Sequence, residues 1–133
     1  MLEPLVLLPG MMCDGRLFDA QIAAFSHERA VMVAPLTGAD TMSALASAVL
    51  ANAPSRFALA GLSMGGIVAM EIIRQAPDRV SRLALLDTNA LADPPEMAAT
   101  REAQVDRVLN GGLRSVMRDE LKPNYLTVGP HRE

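Results

Sequence analysis

The sequence has little of what disulfide-bonded, secreted or membrane-spanning proteins need. Cys13 is the one cysteine among 133 residues, so no disulfide can form within the chain. The first residues, MLEPLVLLPG, lack the basic and long apolar regions of a secretory signal. No uninterrupted apolar run approaches the ~20 residues that span a bilayer. We therefore expect a soluble protein of the reducing cytoplasm, without a membrane partner.

Positive charge and metal-ligating side chains are not concentrated anywhere in the sequence. Acidic and basic residues are mixed and the formal net charge is -3, which excludes an extended surface for phosphate backbones. Gly10 and Gly15 have the spacing of a phosphate-binding loop, but Arg16 and Leu17 follow where Lys and Ser or Thr are needed. His, Cys, Asp and Glu show no metal-ligand spacing. We expect no nucleic-acid partner, no metal and no cofactor.

Half of the residues are hydrophobic, which suffices for a globular core. Four short apolar runs, bounded by Gly, Pro or polar residues, are typical of strands buried on both faces of a parallel sheet. These runs are 4–9, 30–34, 57–60 and 83–86. Stretches of helical period separate them, and Asp40 or Thr41 is placed to cap the second helix. The order βαβαβαβ predicts an α/β fold with a doubly wound, mostly parallel sheet of about four strands.

The pattern changes after Leu86. A turn-rich loop, DTNALADPPE, precedes two predicted helices that Gly111 and Gly112 separate, and no strand pattern recurs. We expect residues 1–92 to form the α/β core and residues 93–133 to form the beginning of a helical lid, truncated at the end of the chain.

The stretch FALAGLSMGGIVAM, residues 57–70, places one hydroxyl, that of Ser63, among several glycines. A strand that ends near residue 60 and a helix that begins near Met64 force a sharp, strained turn at Ser63. Gly61 and Gly65 are expected because side chains on either side of the turn would collide. The turn would hold the Ser63 hydroxyl at the carboxyl edge of the sheet, with the Met64 N–H beside it. This pattern predicts a nucleophile with one oxyanion donor; the alternative is a chance match to Gly-x-Ser-x-Gly.

A second stretch, LLPGMMCDGRLF, follows the first strand. First and third strands lie side by side where a doubly wound sheet reverses its winding. The loop at Gly10 would then bring the Met11 N–H opposite the Met64 N–H, as a second oxyanion donor. Alternatively, Gly10 only makes a tight turn. Met11, Met12 and Met64 would line an adaptable pocket for the apolar acyl or alkyl part of a small substrate, and Cys13 is expected to be a small buried hydrophobe.

These stretches resemble the α/β-hydrolase fold superfamily. LVLLPGMMCDGRLF is similar to the strand and oxyanion loop of its short, single-domain bacterial members, with Pro9 and Gly10 where many have His-Gly. FALAGLSMGGIVAMEIIRQAPDRVSRLALLDT resembles the nucleophile elbow, buried helix and next strand, so the likeness covers about residues 4–90. It implies a serine hydrolase that cleaves an ester, thioester or lactone through an acyl-enzyme on Ser63. The Met11 and Met64 amides would hold the oxyanion.

The resemblance also implies an acid and a histidine after Ser63, in that order, following later strands. His131 has no strand to position it and His27 closes a surface helix, so both are expected to be solvated. Asp87 follows a strand, where a triad acid is possible, but a turn-capping role is favoured. We expect the acid and the histidine downstream of Glu133, which would make the chain an N-terminal half that is inactive alone. A non-catalytic relative that binds a ligand or partner is the alternative.

Overall fold

The computed structural model describes residues 2–125 and contains one parallel sheet of four strands in the order β2-β1-β3-β4. The strands are β1 (Leu5–Leu8), β2 (Val31–Val33), β3 (Phe57–Leu62) and β4 (Val80–Leu86). The helices between them are α1 (Asp19–Phe25), α2 (Met42–Asn52) and α3 (Met64–Gln75). Thr41 caps α2, since its Oγ1 accepts from the Ala44 N–H at 3.2 Å. The predicted α/β fold, doubly wound sheet and βαβαβαβ order are confirmed.

The strands alternate their side chains between two apolar layers. On one face, Val6, Leu8 and Leu59 pack with residues of α2 and α3 in the larger core cluster. On the other face, Leu7 and Ala60 pack against Phe18, which directly precedes α1. Because α1 and the α2–α3 pair cover opposite faces, the winding reverses between β1 and β3. The carboxyl ends of these two strands therefore frame the crevice in which α/β proteins bind ligands.

The fourth strand departs from the expectation that all strands are buried on both faces. Leu83, Leu85 and Leu86 of β4 are 43%, 42% and 43% exposed, whereas Val6 and Leu8 of β1 are fully buried. The reason is the strand's place in the sheet, because β4 pairs only with β3 among the described residues. On the face of the sheet that α1 covers, an apolar groove of about 480 Å³ extends from α1 towards β4, and Leu86 forms part of its wall. That expectation is therefore wrong for this edge strand.

The chain divides into two compact units, Met1–Ala90 and Leu91–Glu133. The second unit contains α4 (Pro95–Arg107) and, after a break, helical turns at Leu113–Ser115, Val116–Leu121 and Lys122–Tyr125. The break falls at Asn110 and Gly111, where Gly111 has φ +86°. Arg107 pairs with Glu120 across it at 2.6 Å. Within residues 2–125 no helix is long and apolar enough to cross a bilayer.

Candidate active site

Ser63 occupies a turn that has no spare residue, since β3 ends at Leu62 and α3 begins at Met64. Its backbone has φ +52° and ψ -116°, a conformation that costs about 1–3 kcal/mol for a residue other than glycine. The surrounding backbone holds it from both sides. The Ser63 N–H donates to the Leu86 carbonyl at 2.9 Å, and the Ser63 carbonyl accepts from the Gly66 N–H at 2.9 Å. The strain is therefore fixed by β4 on one side and by α3 on the other.

Two glycines allow this turn to form. A Cβ on Gly61 would lie 2.3 Å from the Gly65 carbonyl oxygen, in the first turn of α3. A Cβ on Gly65 would lie 2.2 Å from the Leu8 carbonyl oxygen, at the end of β1. Real Cβ atoms do not approach backbone oxygens so closely, so each position excludes a side chain. Because neither position carries a side chain, the start of α3 packs closely against β3 and the end of β1. Ser63 therefore lies against the loop that follows β1.

The loop after β1 borders the Ser63 side chain directly. An ideal Cβ on Gly10 would lie 3.6 Å from the Ser63 Cβ, so nothing intervenes between the two residues. Met64 is the first residue of α3, and its N–H has no acceptor within the helix. Within residues 2–125, the Met11 and Met64 N–H groups donate to no protein acceptor. These two backbone donors thus stay available to a ligand, and they remain the predicted oxyanion donors.

The same loop corrects the expectation for Cys13, which is exposed and not buried. Its N–H donates to the Gly10 carbonyl at 3.1 Å, and Met12 has φ +61°. This tight turn directs the chain outward, so that Met11 and Met12 are 36% and 62% exposed. The methionine pocket proposed from the sequence therefore has two of its three members on the surface of this unit.

An ion pair ends the loop. The Asp14 carboxylate accepts from the Arg16 Nη2 at 2.7 Å and from the Arg16 backbone N–H at 3.0 Å. These hydrogen bonds from the side chain and backbone of Arg16 hold the pKa of Asp14 below its ordinary value. Asp14 thereby caps the short 3₁₀ turn Gly15–Phe18 that leads into α1. Among the residues that the structure describes, no three His, Cys, Asp or Glu side chains are grouped to hold a metal.

The structure places His27 far from Ser63. The segment that follows His27 lies beside the start of β1, since the Leu5 N–H donates to the Ala30 carbonyl at 2.9 Å. This is the amino edge of the sheet, whereas Ser63 follows the carboxyl end of β3. The 6 residues of β3 separate the two edges, which is about 20 Å at ~3.3 Å per residue. His131 lies outside the described residues.

Asp87 is at the same edge of the sheet as Ser63. It follows Leu86, whose carbonyl accepts the Ser63 N–H, and it has φ +42°. Its side chain is exposed and, within residues 2–125, accepts no hydrogen bond. The turn-capping hydrogen bond predicted for Asp87 is therefore not found in this part of the chain.

Thr88 is a residue that sequence reasoning missed. Its Oγ1 donates to the Ser63 carbonyl at 2.7 Å, which links the loop after β4 to the turn at Ser63. The one signal for it in the sequence is Gly66, a glycine beyond those of the Gly-x-Ser-x-Gly pattern. A Cβ on Gly66 would lie 2.6 Å from the Thr88 Oγ1.

Comparison with known proteins gives the same picture of the fold. No protein-family model matches the chain. A pimeloyl-(acyl-carrier protein) methyl ester esterase of Aliivibrio salmonicida is 31% identical over 133 aligned positions, covering 93% of this chain and 48% of that protein. A thermophilic esterase of Thermogutta terrifontis superposes with a TM-score of 0.79 at 29% identity, covering 92% of this chain and 50% of that one. An enol-lactonase of Burkholderia xenovorans superposes with a TM-score of 0.70 at 25% identity, covering 87% and 49%.

The chain belongs to the α/β-hydrolase fold superfamily. Its relatives are named as esterases and a lactonase, and the chain spans about half the length of those it matches. In this α/β-hydrolase chain the four parallel strands, the turn at Ser63 and the loop at Gly10 all lie in one unit.

Proposed function

We propose that the chain supplies the nucleophile and oxyanion hole of a serine hydrolase that forms an acyl-enzyme on Ser63. The observation that carries this proposal is the geometry of Ser63. A half-buried hydroxyl stands on a strained strand-to-helix turn, with two unpaired backbone N–H groups in the adjoining segments. A merely structural serine needs neither the strain nor the free donors.

The proposed reaction begins when the Ser63 Oγ attacks the carbonyl carbon of the substrate and transfers its proton to a base. The Met11 and Met64 N–H groups donate to the oxyanion of the tetrahedral intermediate. The intermediate collapses, the bond to the alcohol breaks, and the base returns the proton to the departing alcohol. Water then repeats the sequence on the acyl-enzyme, which releases the carboxylic acid and restores Ser63.

The proposed reaction also needs a base and an acid partner for it. His27, the one histidine within residues 2–125, does not serve as the base, because it lies at the amino edge of the sheet and Ser63 at the carboxyl edge. We infer that they belong to the half of the protein that corresponds to the unmatched half of its relatives. Residues 93–133 would contribute to a helical lid.

A carboxylic ester is the bond that the comparisons favour, over a thioester or a lactone. The curated relative that aligns with 93% of the chain is named as a methyl ester esterase. The enol-lactonase, which superposes on 87% of the chain, supports a lactone as the second candidate. Because Met64 directly follows Ser63, and Met11 directly follows Gly10, which borders Ser63, we expect the group next to the ester carbonyl to be apolar.

A serine-directed fluorophosphonate tests whether Ser63 is an activated nucleophile. In the product of the complete gene, we expect the probe to label the wild type and to leave Ser63→Ala unlabelled, because only a serine with a base and an oxyanion hole reacts. Ser55→Ala is the matched control. Ser55 is an exposed serine that precedes β3, at the opposite edge of the sheet, and labelling should be unchanged.

Absence of labelling in a folded wild type would contradict a catalytic role. It would favour the alternative, a relative that uses the same crevice only for binding. Equal labelling of the wild type and Ser63→Ala would remove Ser63 from the mechanism altogether.

The backbone origin of the oxyanion donors makes a separate prediction. Met11→Ala and Met64→Ala each keep their amide, so we expect turnover to persist while the preference for acyl-chain length changes. Rates across p-nitrophenyl acetate, butyrate and octanoate would measure this, with changes of about tenfold or less for each ester. Complete loss of turnover in folded Met11→Ala would show that its side chain, not its amide, is what the reaction needs.

A further inference from the structure

Thr88 joins the loop after β4 to the backbone of the nucleophile turn. Its Oγ1 donates to the Ser63 carbonyl oxygen at 2.7 Å, and Thr88 is half-buried. The same oxygen accepts from the Gly66 N–H at 2.9 Å and from the Ile67 N–H at 3.3 Å. The hydrogen bond from Thr88 comes from the loop after β4, 25 residues away along the chain. This hydrogen bond therefore fixes the Ser63 carbonyl relative to the loop after β4. The hydrogen bonds from Gly66 and Ile67 fix it only relative to α3, so they do not prevent the turn and the helix from moving together.

The lack of a side chain at Gly66 leaves the space that Thr88 occupies. An ideal Cβ on Gly66 would lie 2.6 Å from the Thr88 Cβ, 2.6 Å from its Oγ1 and 2.7 Å from its Cγ2. Any side chain at position 66 would push Thr88 away from the Ser63 carbonyl. The glycine thus preserves the space that the threonine needs for its hydrogen bond.

The Ser63 carbonyl is rigidly linked to the Met64 amide. The two groups belong to one planar peptide unit, in which the C=O and the N–H point in opposite directions. A hydrogen bond that fixes the Ser63 C=O therefore also fixes the direction of the Met64 N–H. Rotation of this peptide would turn the donor away from the developing oxyanion, and donors act only within about 2.7–3.1 Å of it.

We propose that Thr88 is a positioning residue that fixes the Ser63–Met64 peptide and thereby aims the Met64 N–H into the crevice. The role assigned to that N–H rests on the proposed function. The fixing of the peptide does not, so the two can be tested separately. Thr88 itself touches no reacting atom.

Nuclear magnetic resonance can observe this one peptide without any catalysis. Ser63 and Met64 form the single Ser-Met pair in the sequence. A chain labelled with carbonyl-¹³C serine and ¹⁵N methionine therefore gives one carbonyl-to-amide correlation, which reports on both groups. Thr88→Val removes the hydroxyl at similar volume, whereas Thr88→Ser retains it. We expect the Ser63 carbonyl resonance to move upfield and the Met64 amide to shift in Thr88→Val, and both to stay near wild type in Thr88→Ser.

An unchanged correlation in Thr88→Val would overturn the proposal, and so would equal shifts in the Val and Ser variants, which would indicate a packing effect. Thr88→Ala removes the hydroxyl without adding a branch and replaces Thr88→Val if that variant does not fold.

A second experiment measures the kinetics of the complete protein with the ester that it hydrolyses. Loss of one neutral hydrogen bond should lower kcat about threefold to tenfold in Thr88→Val, with KM nearly unchanged, and Thr88→Ser should restore kcat. Wild-type kcat in Thr88→Val, in a protein whose Ser63→Ala variant is inert, overturns the positioning role. If Ser63→Ala itself remains active, the proposed function fails instead, and the resonance experiment still decides the role of Thr88.

Discussion

We expect the 133-residue chain, expressed alone, to hydrolyse p-nitrophenyl esters no faster than its own Ser63→Ala variant. Ser63 has its turn and two free amides beside it, but His27 lies at the other edge of the sheet. A general base contributes about 10²–10⁴-fold, and without one the hydroxyl stays protonated and weakly nucleophilic. The exposed strand β4 should also leave the crevice less rigid than in a sheet that continues beyond it.

The experiment compares three proteins with the same esters: the chain, its Ser63→Ala form and the product of the complete gene. His27→Ala is the matched control in the chain, and it should change nothing. If the chain alone turned over as fast as the complete protein, and His27→Ala or His131→Ala removed that activity, our assignment of the base to another part of the protein would be wrong.

Most of the fold could be predicted from local patterns in the sequence. The alternation of short apolar runs with helical periods predicted the four strands and three helices, because burial on a sheet and burial on a helix impose different periods. The cap at Thr41 follows from side-chain chemistry within one turn of helix. The turn at Ser63 could be predicted because adjoining strand and helix patterns left no residues between them. Each of these features is decided within about a dozen residues.

Features that depend on distant segments could not be predicted in this way. The exposure of Leu83 in β4 depends on which strands neighbour it in the sheet. The bond from Thr88 to Ser63 joins segments 25 residues apart, and neither residue signals it alone. Gly66 is the one trace of it in the sequence, and only the packed structure explains that glycine.

The second large effect that we expect is a large loss of stability in Gly65→Ala, measured as a lower urea midpoint of unfolding. The new Cβ would lie 2.2 Å from the Leu8 carbonyl oxygen and 2.7 Å from the Pro9 carbonyl oxygen. Both atoms are backbone of β1 and of the loop that borders Ser63, so relief requires α3 to move away from the sheet. Overpacking of a core lowers the free energy of unfolding by about 1–3 kcal/mol, and by more where the backbone must move. Domains are stable by only about 5–15 kcal/mol, so this one change removes a large share.

Gly15→Ala is the matched control, because a Cβ at Gly15 meets nothing within 4 Å and its φ is not positive. We expect this variant to unfold at the wild-type urea concentration or slightly above it, since alanine restricts the unfolded chain. Gly61→Ala, whose Cβ would lie 2.3 Å from the Gly65 carbonyl oxygen, should behave like Gly65→Ala. Equal unfolding midpoints for Gly65→Ala and Gly15→Ala would mean that α3 can retreat from β1 at no cost. The close approach of helix and strand would then not be what holds Ser63 in its strained turn.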